Sequence, residues 1–492
     1  MNAKELIGVL DLNPDDFLSE DFTVKGISID SRQVGSDYCF IALRGNSANG
    51  HDFIPQAIEN GARLIIYEQG QSLKSSFAKD KENVIFIPVS QPRRDLSKLA
   101  ARFYGKPAEK LKLIGITGTN GKTTVSFLIE NMLQYNQSNP AVIGTIHYKI
   151  ADHIIPAKNT TPDAIKIQHL FLHMVEHSVT HAIMEVSSHA LDQLRTQGLN
   201  FRIGVFTNLT HDHLDYHKDM ETYFLAKAQL FINLTSNDCA VINADDECGL
   251  RLINMTKAKI LDYGINNHNA KVRAQDLKLG LEESSFTVIT PWGKIKLVTK
   301  FIGRHNIYNI LACICVGLQE DISLECIKSA IEVMALVPGR LERVQHKQPF
   351  EVFIDYAHTD DALKNVLSCL RQLQPRRIIT VFGCGGDRDK KKRPLMGKVA
   401  TMMSDFLIIT NDNPRTEQPE KIVEDILSGF NPEFGNYKVV LDRKQAIEQA
   451  MALAKEGDFI LVAGKGHETC QIFADKIVDF DDRKIVTQIL GC

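Results

Sequence analysis

Short β-branched runs alternate with segments of helical period along most of the chain, and that alternation predicts parallel α/β architecture. Up to about Val89 the apolar runs are brief: Gly26-Ile27-Ser28-Ile29, Tyr38-Cys39-Phe40-Ile41-Ala42-Leu43, Leu64-Ile65-Ile66-Tyr67 and Val84-Ile85-Phe86-Ile87. They predict a small α/β domain. A polar stretch beginning Gln91-Pro92-Arg93-Arg94 marks a boundary, and a central domain runs from there to about Val337-Pro338-Gly339. A third α/β set has strands expected at Val352-Phe353-Ile354, Ile378-Ile379-Thr380-Val381-Phe382, Phe406-Leu407-Ile408-Ile409 and Phe459-Ile460-Leu461-Val462. The working division is therefore 1–90, 91–338 and 339–492.

The clearest chemistry lies in Leu113-Ile114-Gly115-Ile116-Thr117-Gly118-Thr119-Asn120-Gly121-Lys122-Thr123-Thr124. An apolar strand enters a glycine-rich turn and then a helix with apolar residues at Val125, Leu128, Ile129, Met132 and Leu133, a core-facing stripe. Glycines let backbone N–H groups approach phosphate oxygens, and a helix N-terminus favours negative charge. Lys122 can reach the outer phosphates and the Thr123 hydroxyl can ligate Mg²⁺. Ile116 stands where the usual pattern has its first glycine, so the spacing is not the standard one.

Open parallel sheets place ligands at the carboxyl ends of their strands. Ala182-Ile183-Met184-Glu185-Val186 holds a glutamate in an apolar strand, before Ser187-Ser188-His189. A buried carboxylate needs hydrogen-bond donors or a metal; a strand-edge glutamate facing water is the bland alternative. The run Ile203–Leu209 ends in Thr210-His211-Asp212-His213-Leu214-Asp215, where His211 or His213 could serve a divalent metal, although no third zinc ligand accompanies them. Lys227 shares a helical stripe with Met220, Tyr223, Phe224 and Phe231. Such a lysine ordinarily snorkels to solvent. The chemical alternative is addition of CO₂ to the neutral amine, giving a carbamate that could donate oxygen to Mg²⁺.

Composition adds mainly exclusions. A chain of 492 residues with 44% apolar and 24% charged content is an ordinary globular protein of several domains. A net charge of −3 offers no basic excess for nucleic acid or anionic membranes, and the run Lys390-Lys391-Lys392-Arg393 is expected to be a solvated loop. The ten cysteines form no framework and read as reduced thiols, mostly core filler, of a cytoplasmic protein. Met1-Asn2-Ala3-Lys4-Glu5-Leu6 opens an acidic amphipathic stretch rather than a leader peptide, and no apolar run is long enough to span a bilayer.

The segments Gly118–Thr124, Met184–His189 and Asp212-His213-Leu214-Asp215-Tyr216-His217 are followed in order by Ala226-Lys227, Gly303-Arg304-His305-Asn306 and Pro338-Gly339-Arg340. Then come Asp355-Tyr356-Ala357-His358, Asp412-Asn413-Pro414-Arg415 and Gly464-Lys465-Gly466-His467-Glu468. This ordered set, spanning essentially the whole chain, resembles the Mur ligase family. The resemblance implies three α/β domains, the central one a P-loop-type parallel-sheet ATPase domain and the last Rossmann-like. It implies an ATP- and Mg²⁺-dependent amide-forming ligase that extends a UDP-linked muramyl dipeptide by one amino acid, meso-diaminopimelate, in peptidoglycan synthesis. The partners would be small-molecule substrates alone, and the expected state is a monomer.

By the same resemblance Ile29, Ser31, Asn46, Ser47, Ala48, Asn159, Thr160, Thr161, Ser187, Gln193 and Arg195 would bind the UDP-muramyl dipeptide. ATP would meet Gly118, Thr119, Asn120, Gly121, Lys122, Thr123, Thr124, Asn306, Arg340, Asp355 and His358. The metal set would be Thr123, Glu185, His213 and Lys227 as its carbamate, with Lys122, Lys227, Glu185 and His213 catalytic. The amino acid would meet Arg388, Asp412, Asn413, Pro414, Arg415, Gly464 and Glu468. A guanidinium fork at Arg415, assisted by Arg388, suits the distal carboxylate that diaminopimelate has and lysine lacks; a turn-stabilising role for Arg415 is the bland alternative. The rival readings are a lysine-adding muramyl ligase, a folylpolyglutamate synthetase-like ligase, and a nucleotide switch without ligase chemistry. A dinucleotide oxidoreductase, suggested by Gly383-Cys384-Gly385-Gly386, fails because Arg388 occupies the position of the last glycine.

Overall fold

A computed structural model describes residues 1–45, 48–71 and 83–491. It separates into two compact units, Met1–Gly115 with Ser138–Arg202, and Ile116–Gln137 with Ile203–Cys492.

In the first unit, strands β1 (Gly26–Ser28), β2 (Tyr38–Ile41), β3 (Ala62–Glu68) and β4 (Ile85–Val89) pair in parallel in that order. Alternate side chains leave the sheet on opposite faces. Cys39, Ile41, Leu64, Ile66 and Ile87 pack with Leu6, Leu96 and Leu99 on one side, while Phe40 and Ile65 pack with Ile54 and Ala57 on the other. The polar stretch from Gln91 is the start of a helix, Pro92–Phe103. Proline suits a first helical turn, and Leu96, Leu99 and Ala100 bury on the core while the arginines stay outside.

Strand β5 (Lys112–Thr117) passes from the first unit into the second. The first unit also holds β6 (Pro140–Ile143), β7 (His147–Ile150), β8 (His153–Pro156) and β9 (His181–Glu185). Here β6 pairs with β9 in parallel, and β7 and β8 extend the edge in antiparallel fashion.

Strand β10 (Phe201–Phe206) passes into the second unit at Ile203, and β10, β11 (Cys239–Asn243), β12 (Lys259–Gly264) and β13 (Val272–Lys278) run parallel. An antiparallel meander through β14 (Ser284–Thr290) and β15 (Gly293–Thr299) completes this run. A further sheet has the order β16-β17-β21-β18-β19-β20, from β16 (Glu342–Val344), β17 (Glu351–Asp355), β18 (Arg377–Phe382), β19 (Phe406–Ile409), β20 (Tyr437–Val439) and β21 (Asp458–Ala463). Only β16 is antiparallel in it. Its central strands are buried on both faces, which explains their unbroken apolar runs.

One expectation is corrected here. The basic run Lys390–Arg393 is not a solvated loop: it leads into the helix Lys392–Met403, and Arg393 is completely buried. Two carboxylates, Glu417 and Asp425, make that burial tolerable. Among the described residues no helix is long and apolar enough to cross a membrane.

Candidate active site

The glycine-rich turn links β5 to the helix Lys122–Tyr135, whose Val125, Leu128, Ile129, Met132 and Leu133 are all buried as the stripe predicts. Gly118 and Gly121 have φ of 149° and 89°, backbone that side-chain-bearing residues rarely adopt. The unusual spacing has a structural reason. Ile116 is a core residue, and the turn is held by the end of β10 instead of by another glycine. Thr207 Oγ1 donates to the Asn120 carbonyl (2.6 Å), Asn120 N–H donates to Asn208 Oδ1 (3.0 Å), and Thr119 N–H donates to the Asn208 carbonyl (2.9 Å).

Lys122 Nζ donates to the carbonyls of Gly118 and Thr119, each at 2.8 Å. Lys227, on the helix Met220–Ile232, is buried rather than snorkelling, and its Nζ donates to the same Gly118 carbonyl at 2.9 Å. Burial first, and then the charge of Lys122, hold the Lys227 amine well below its ordinary pKa, against a smaller pull from Asp212. Two ammonium groups on one carbonyl would repel, which adds to the burial that disfavours the charged form of Lys227. A neutral, water-shielded amine is the form to which CO₂ adds.

Tyr223, read from sequence only as part of a stripe, ties this cluster together. Its ring lies 4.7 Å from Lys227 Nζ, its hydroxyl is 3.2 Å from Thr119 Oγ1, and His213 stacks edge-on at 6.1 Å. His213 has φ of 54° and its Nε2 lies 3.3 Å from Asp212. His211 is directed elsewhere, 3.8 Å from Asp360. Among the described residues no group of three or more His, Cys, Asp or Glu is arranged to hold a metal.

The third sequence segment reaches the same turn. Arg340 Nη2 donates to Thr123 Oγ1 at 3.1 Å while its guanidinium lies 4.6 Å over the Tyr356 ring. Asp361, which the sequence reading missed, accepts from Asn120 Nδ2 at 2.9 Å. Asp355, at the end of β17, accepts from the N–H groups of Leu341 (2.5 Å) and Ala357 (2.7 Å); burial raises its pKa to about 6 despite Arg340. His358 donates its Nδ1–H to the Tyr356 carbonyl (2.9 Å), and burial lowers its pKa to about 4. Asn306 is turned inward, its Nδ2 on the Ile302 carbonyl and its Oδ1 accepting from Asn309. Asn309, not Asn306, abuts Gly121.

In the first unit, Glu185 ends β9 almost fully buried. Its carboxylate accepts from Thr145 N–H (3.0 Å) and Thr145 Oγ1 (2.8 Å), and a Cβ on Gly144 would stand 2.5 Å from Glu185 Oε1. Most of the expected dipeptide residues form one network around it. Thr160 meets Thr145 (3.1 Å), Thr161 donates to the Glu185 carbonyl (2.8 Å) and to Ser187 (3.3 Å), and Arg195 binds both the Thr161 carbonyl (2.7 Å) and Gln193 (2.8 Å). Asn159 joins through its carbonyl, which accepts from Tyr148. Apart from this network, Ser31 donates to Gln56 (2.6 Å), Ile29 packs against the sheet core, and Ala48 accepts from Gly45 N–H. Asn46 and Ser47 lie outside the described residues. Gly144 and Thr145 were legible only as a small-residue pair closing an apolar run.

The amino-acid candidates gather at the carboxyl ends of β18, β19 and β21. Asn413 Nδ2 donates to Glu468 (2.8 Å), and buried Lys465 bridges Asn413 Oδ1 (3.2 Å) and Glu468 (2.9 Å). Asp412 lies 4.0 Å from Lys465; burial raises its pKa, against the pull of Lys465 and Arg443. Gly464 leaves room for Asp412, whose Oδ2 would be 2.8 Å from a Cβ there. Pro414 is buried, and Arg415 Nη1 donates to the Gly386 carbonyl at 2.6 Å. Arg388 is exposed, yet its Cγ and Arg415 Nη1 both flank Gly385, 3.7 and 3.0 Å from where a Cβ would stand.

This combination has close parallels. The family model described as the Mur ligase middle domain matches residues 116–317, that of the Mur ligase glutamate ligase domain matches 339–466, and that of the Mur ligase family catalytic domain matches 23–104. A protein of Geobacter metallireducens named UDP-N-acetylmuramoyl-L-alanyl-D-glutamate–2,6-diaminopimelate ligase is 42% identical, over 94% of this chain and 93% of its own. A solved structure of a ligase of that name is 31% identical, with a TM-score of 0.69 over 100% of this chain and 99% of its own. Folylpolyglutamate synthase of Mycobacterium tuberculosis, at 18% identity and a TM-score of 0.63 over 75% of this chain and 92% of its own, shares the fold alone. The chain belongs to the Mur ligase family.

Proposed function

We propose that this chain is an ATP-dependent ligase that adds meso-2,6-diaminopimelate to the D-glutamyl γ-carboxylate of UDP-N-acetylmuramoyl-L-alanyl-D-glutamate in peptidoglycan precursor synthesis. The observation that carries this reading is the 42% identity, across 94% of the chain, to a ligase named for that reaction. Residues 1–90 would hold the UDP end, 91–338 the ATP and 339–492 the amino acid. The enzyme acts as a cytoplasmic monomer on small-molecule substrates.

The γ-carboxylate attacks the terminal phosphorus of ATP, releasing ADP and leaving an acyl phosphate. The amino group of diaminopimelate then attacks the acyl carbon. Loss of phosphate and of one ammonium proton completes the amide. Phosphoryl transfer asks for positioning and charge neutralisation rather than covalent help from the protein. Lys122 and Arg340, with the backbone N–H groups of Gly118–Thr124, supply both. His358, neutral at physiological pH because burial lowers it to about 4, can hydrogen-bond the nucleotide without adding charge.

By the family resemblance Thr123, Glu185 and His213 would hold the metal, and the oxygens of the first two suit a hard cation. An ammonium at Lys227 would not fit. Addition of CO₂ to its neutral amine, with release of one proton, supplies a carboxylate in its place. Bound Mg²⁺ would neutralise phosphate charge. Thr160, Thr161, Ser187, Gln193 and Arg195 would orient the dipeptide, and Ile29, Ser31, Asn46, Ser47 and Ala48 the uridine end. Asp412, Asn413, Pro414, Gly464 and Glu468 would receive the amino acid, with Arg415 and Arg388 on its distal carboxylate.

Phosphate release, measured with ATP, the UDP-muramyl dipeptide and meso-diaminopimelate singly and together, tests the reaction class. Release is expected only with all three. Turnover of folate glutamates, or slow ATP hydrolysis indifferent to both co-substrates, would contradict it.

A further inference from the structure

Arg393 and Arg443 head the largest fully buried side chains of the described residues, and neither belongs to the site set out above. Each is anchored by carboxylate and also donates to a backbone carbonyl next to the amino-acid loops. Arg443 makes a two-pronged pair with Asp482, Nε to Oδ1 and Nη2 to Oδ2, both at 2.8 Å, with both side chains completely buried. Its Nη2 also donates to the Ala463 carbonyl (2.9 Å) and its Nη1 to the Asn411 carbonyl (3.4 Å). Ala463 and Asn411 immediately precede Gly464 and Asp412.

Arg393 does the same for the loop that bears Arg388 and for the far end of the Asp412–Arg415 loop. Its Nη1 and Nη2 donate to the two oxygens of Glu417 (3.0 and 2.8 Å), Nη1 also to Asp425 (2.8 Å), and Nη2 to the Gly385 carbonyl (3.1 Å). Glu417 in turn accepts from Asp387 N–H (2.6 Å), and its own N–H donates to the Pro414 carbonyl (3.1 Å). The loop bearing Arg388 is thereby sewn to the loop bearing Arg415, a join completed by Gly386 N–H on the Asn413 carbonyl (2.9 Å) and Thr416 on Asp387 (2.7 Å). Arg393 foremost, against a smaller cost of burial, holds the Glu417 carboxyl down at about 2, so this anchor keeps its charge throughout the working range.

A buried ion pair is weak evidence for stability, because apolar residues of equal volume usually serve as well or better. Its hydrogen bonds fix direction, which apolar contacts do not. We infer that the Arg393–Glu417 and Arg443–Asp482 pairs are positioning devices for amino-acid recognition: they hold the loops of Arg388, Arg415, Asp412 and Gly464 in the register that grips the far end of the incoming amino acid. The inference rests on the proposed amino-acid site.

The test is steady-state kinetics of the full chain carrying Arg393→Met with Glu417→Gln, which removes both charges together and leaves no unpaired buried cation. Misplacing a binding group by about 1 Å can cost up to about 100-fold, so the KM for meso-diaminopimelate is expected to rise at least about tenfold. The KM for ATP and for the UDP-muramyl dipeptide should stay within about twofold of the parent, and discrimination against L-lysine should fall. A purely structural role would lower the melting temperature and leave the amino-acid KM unchanged; that result in a folded variant overturns the inference. Should the double variant not fold, Glu417→Asp keeps the ion pair but shortens its reach to Asp387 N–H, and the same KM shift is required of it. If the parent uses lysine rather than diaminopimelate, the substrate assignment fails by itself, and the KM of lysine then reports on the pairs.

Discussion

Lys227→Met separates the chemistry of a buried amine from its packing. Methionine keeps most of the volume of the side chain in a slot that is 1% exposed. The substitution loses one hydrogen bond, the 2.9 Å contact from Nζ to the Gly118 carbonyl, a net loss of about 1 kcal/mol. That figure is already net of the cost of burying the amine. A loss of that size moves the melting temperature by only about 2–4 °C for domains of this size. Activity behaves differently. A group that helps stabilise charge in the transition state is worth about 10²–10³ in kcat, and Lys227→Met should lose at least that much. The assay is phosphate release at saturating substrates alongside thermal unfolding, with carbon-13 NMR of the parent in labelled bicarbonate to observe the carbamate. A Lys227→Met enzyme within about threefold of the parent kcat would refute the reasoning, as would a fully active parent without a carbamate carbon signal.

Three further outcomes follow from single contacts. Thr145→Val keeps the backbone donor to Glu185 but removes the 2.8 Å hydroxyl donor; a charge-assisted bond of about 1.5–3 kcal/mol is lost, and a Mg²⁺ titration of phosphate release should show a shifted midpoint and lower plateau. Gly339 has φ of 64°, and a Cβ there would run into the backbone of Gly466 and His467. Gly339→Ala should therefore lower stability by about 1–3 kcal/mol, read as a drop in melting temperature. His358 has its pKa depressed from 6.5 to about 4. Its contribution is fully present above pH 6.5 and is lost as pH falls through 4, about 2 kcal/mol after allowing for solvent screening. Asp355, raised to about 6, has the opposite sign, favouring the fold most below its ordinary value and less as pH rises through 6. The difference in melting temperature between the parent and His358→Gln, followed from pH 7 to pH 4, isolates the histidine; a difference that does not change with pH would contradict its burial as a neutral ring.

The parallel core was legible because strands buried on both faces must be apolar throughout, as in Ile378–Phe382 and Phe459–Val462. The meander Val272–Thr299 escaped because its strands mix polar and apolar residues and one face is open. Charge runs misled at Arg393, since a sequence does not show that Glu417 and Asp425, dozens of residues away, converge on it. The phosphate turn, Glu185 and Lys227 stood out as chemistry in apolar surroundings. Thr145, Tyr223, Asn309 and Asp361 did not, because a threonine, a stripe aromatic, a helical asparagine and an acidic first turn are each commonplace alone. Their significance comes only from long-range pairing, such as Asp361 with Asn120.

The most direct test of the central claim is a competition between meso-diaminopimelate and L-lysine, measured as kcat/KM in the parent and in Arg415→Ala. Sites built around polar groups reject an analogue that leaves them unpaired by roughly 10⁴–10⁵-fold. The parent is expected to prefer meso-diaminopimelate by a ratio approaching that range, and Arg415→Ala to lose most of the preference by losing turnover of diaminopimelate. A parent that favours lysine, or an unchanged preference in a folded Arg415→Ala enzyme whose arginine merely braces the Gly386 carbonyl, would contradict the account.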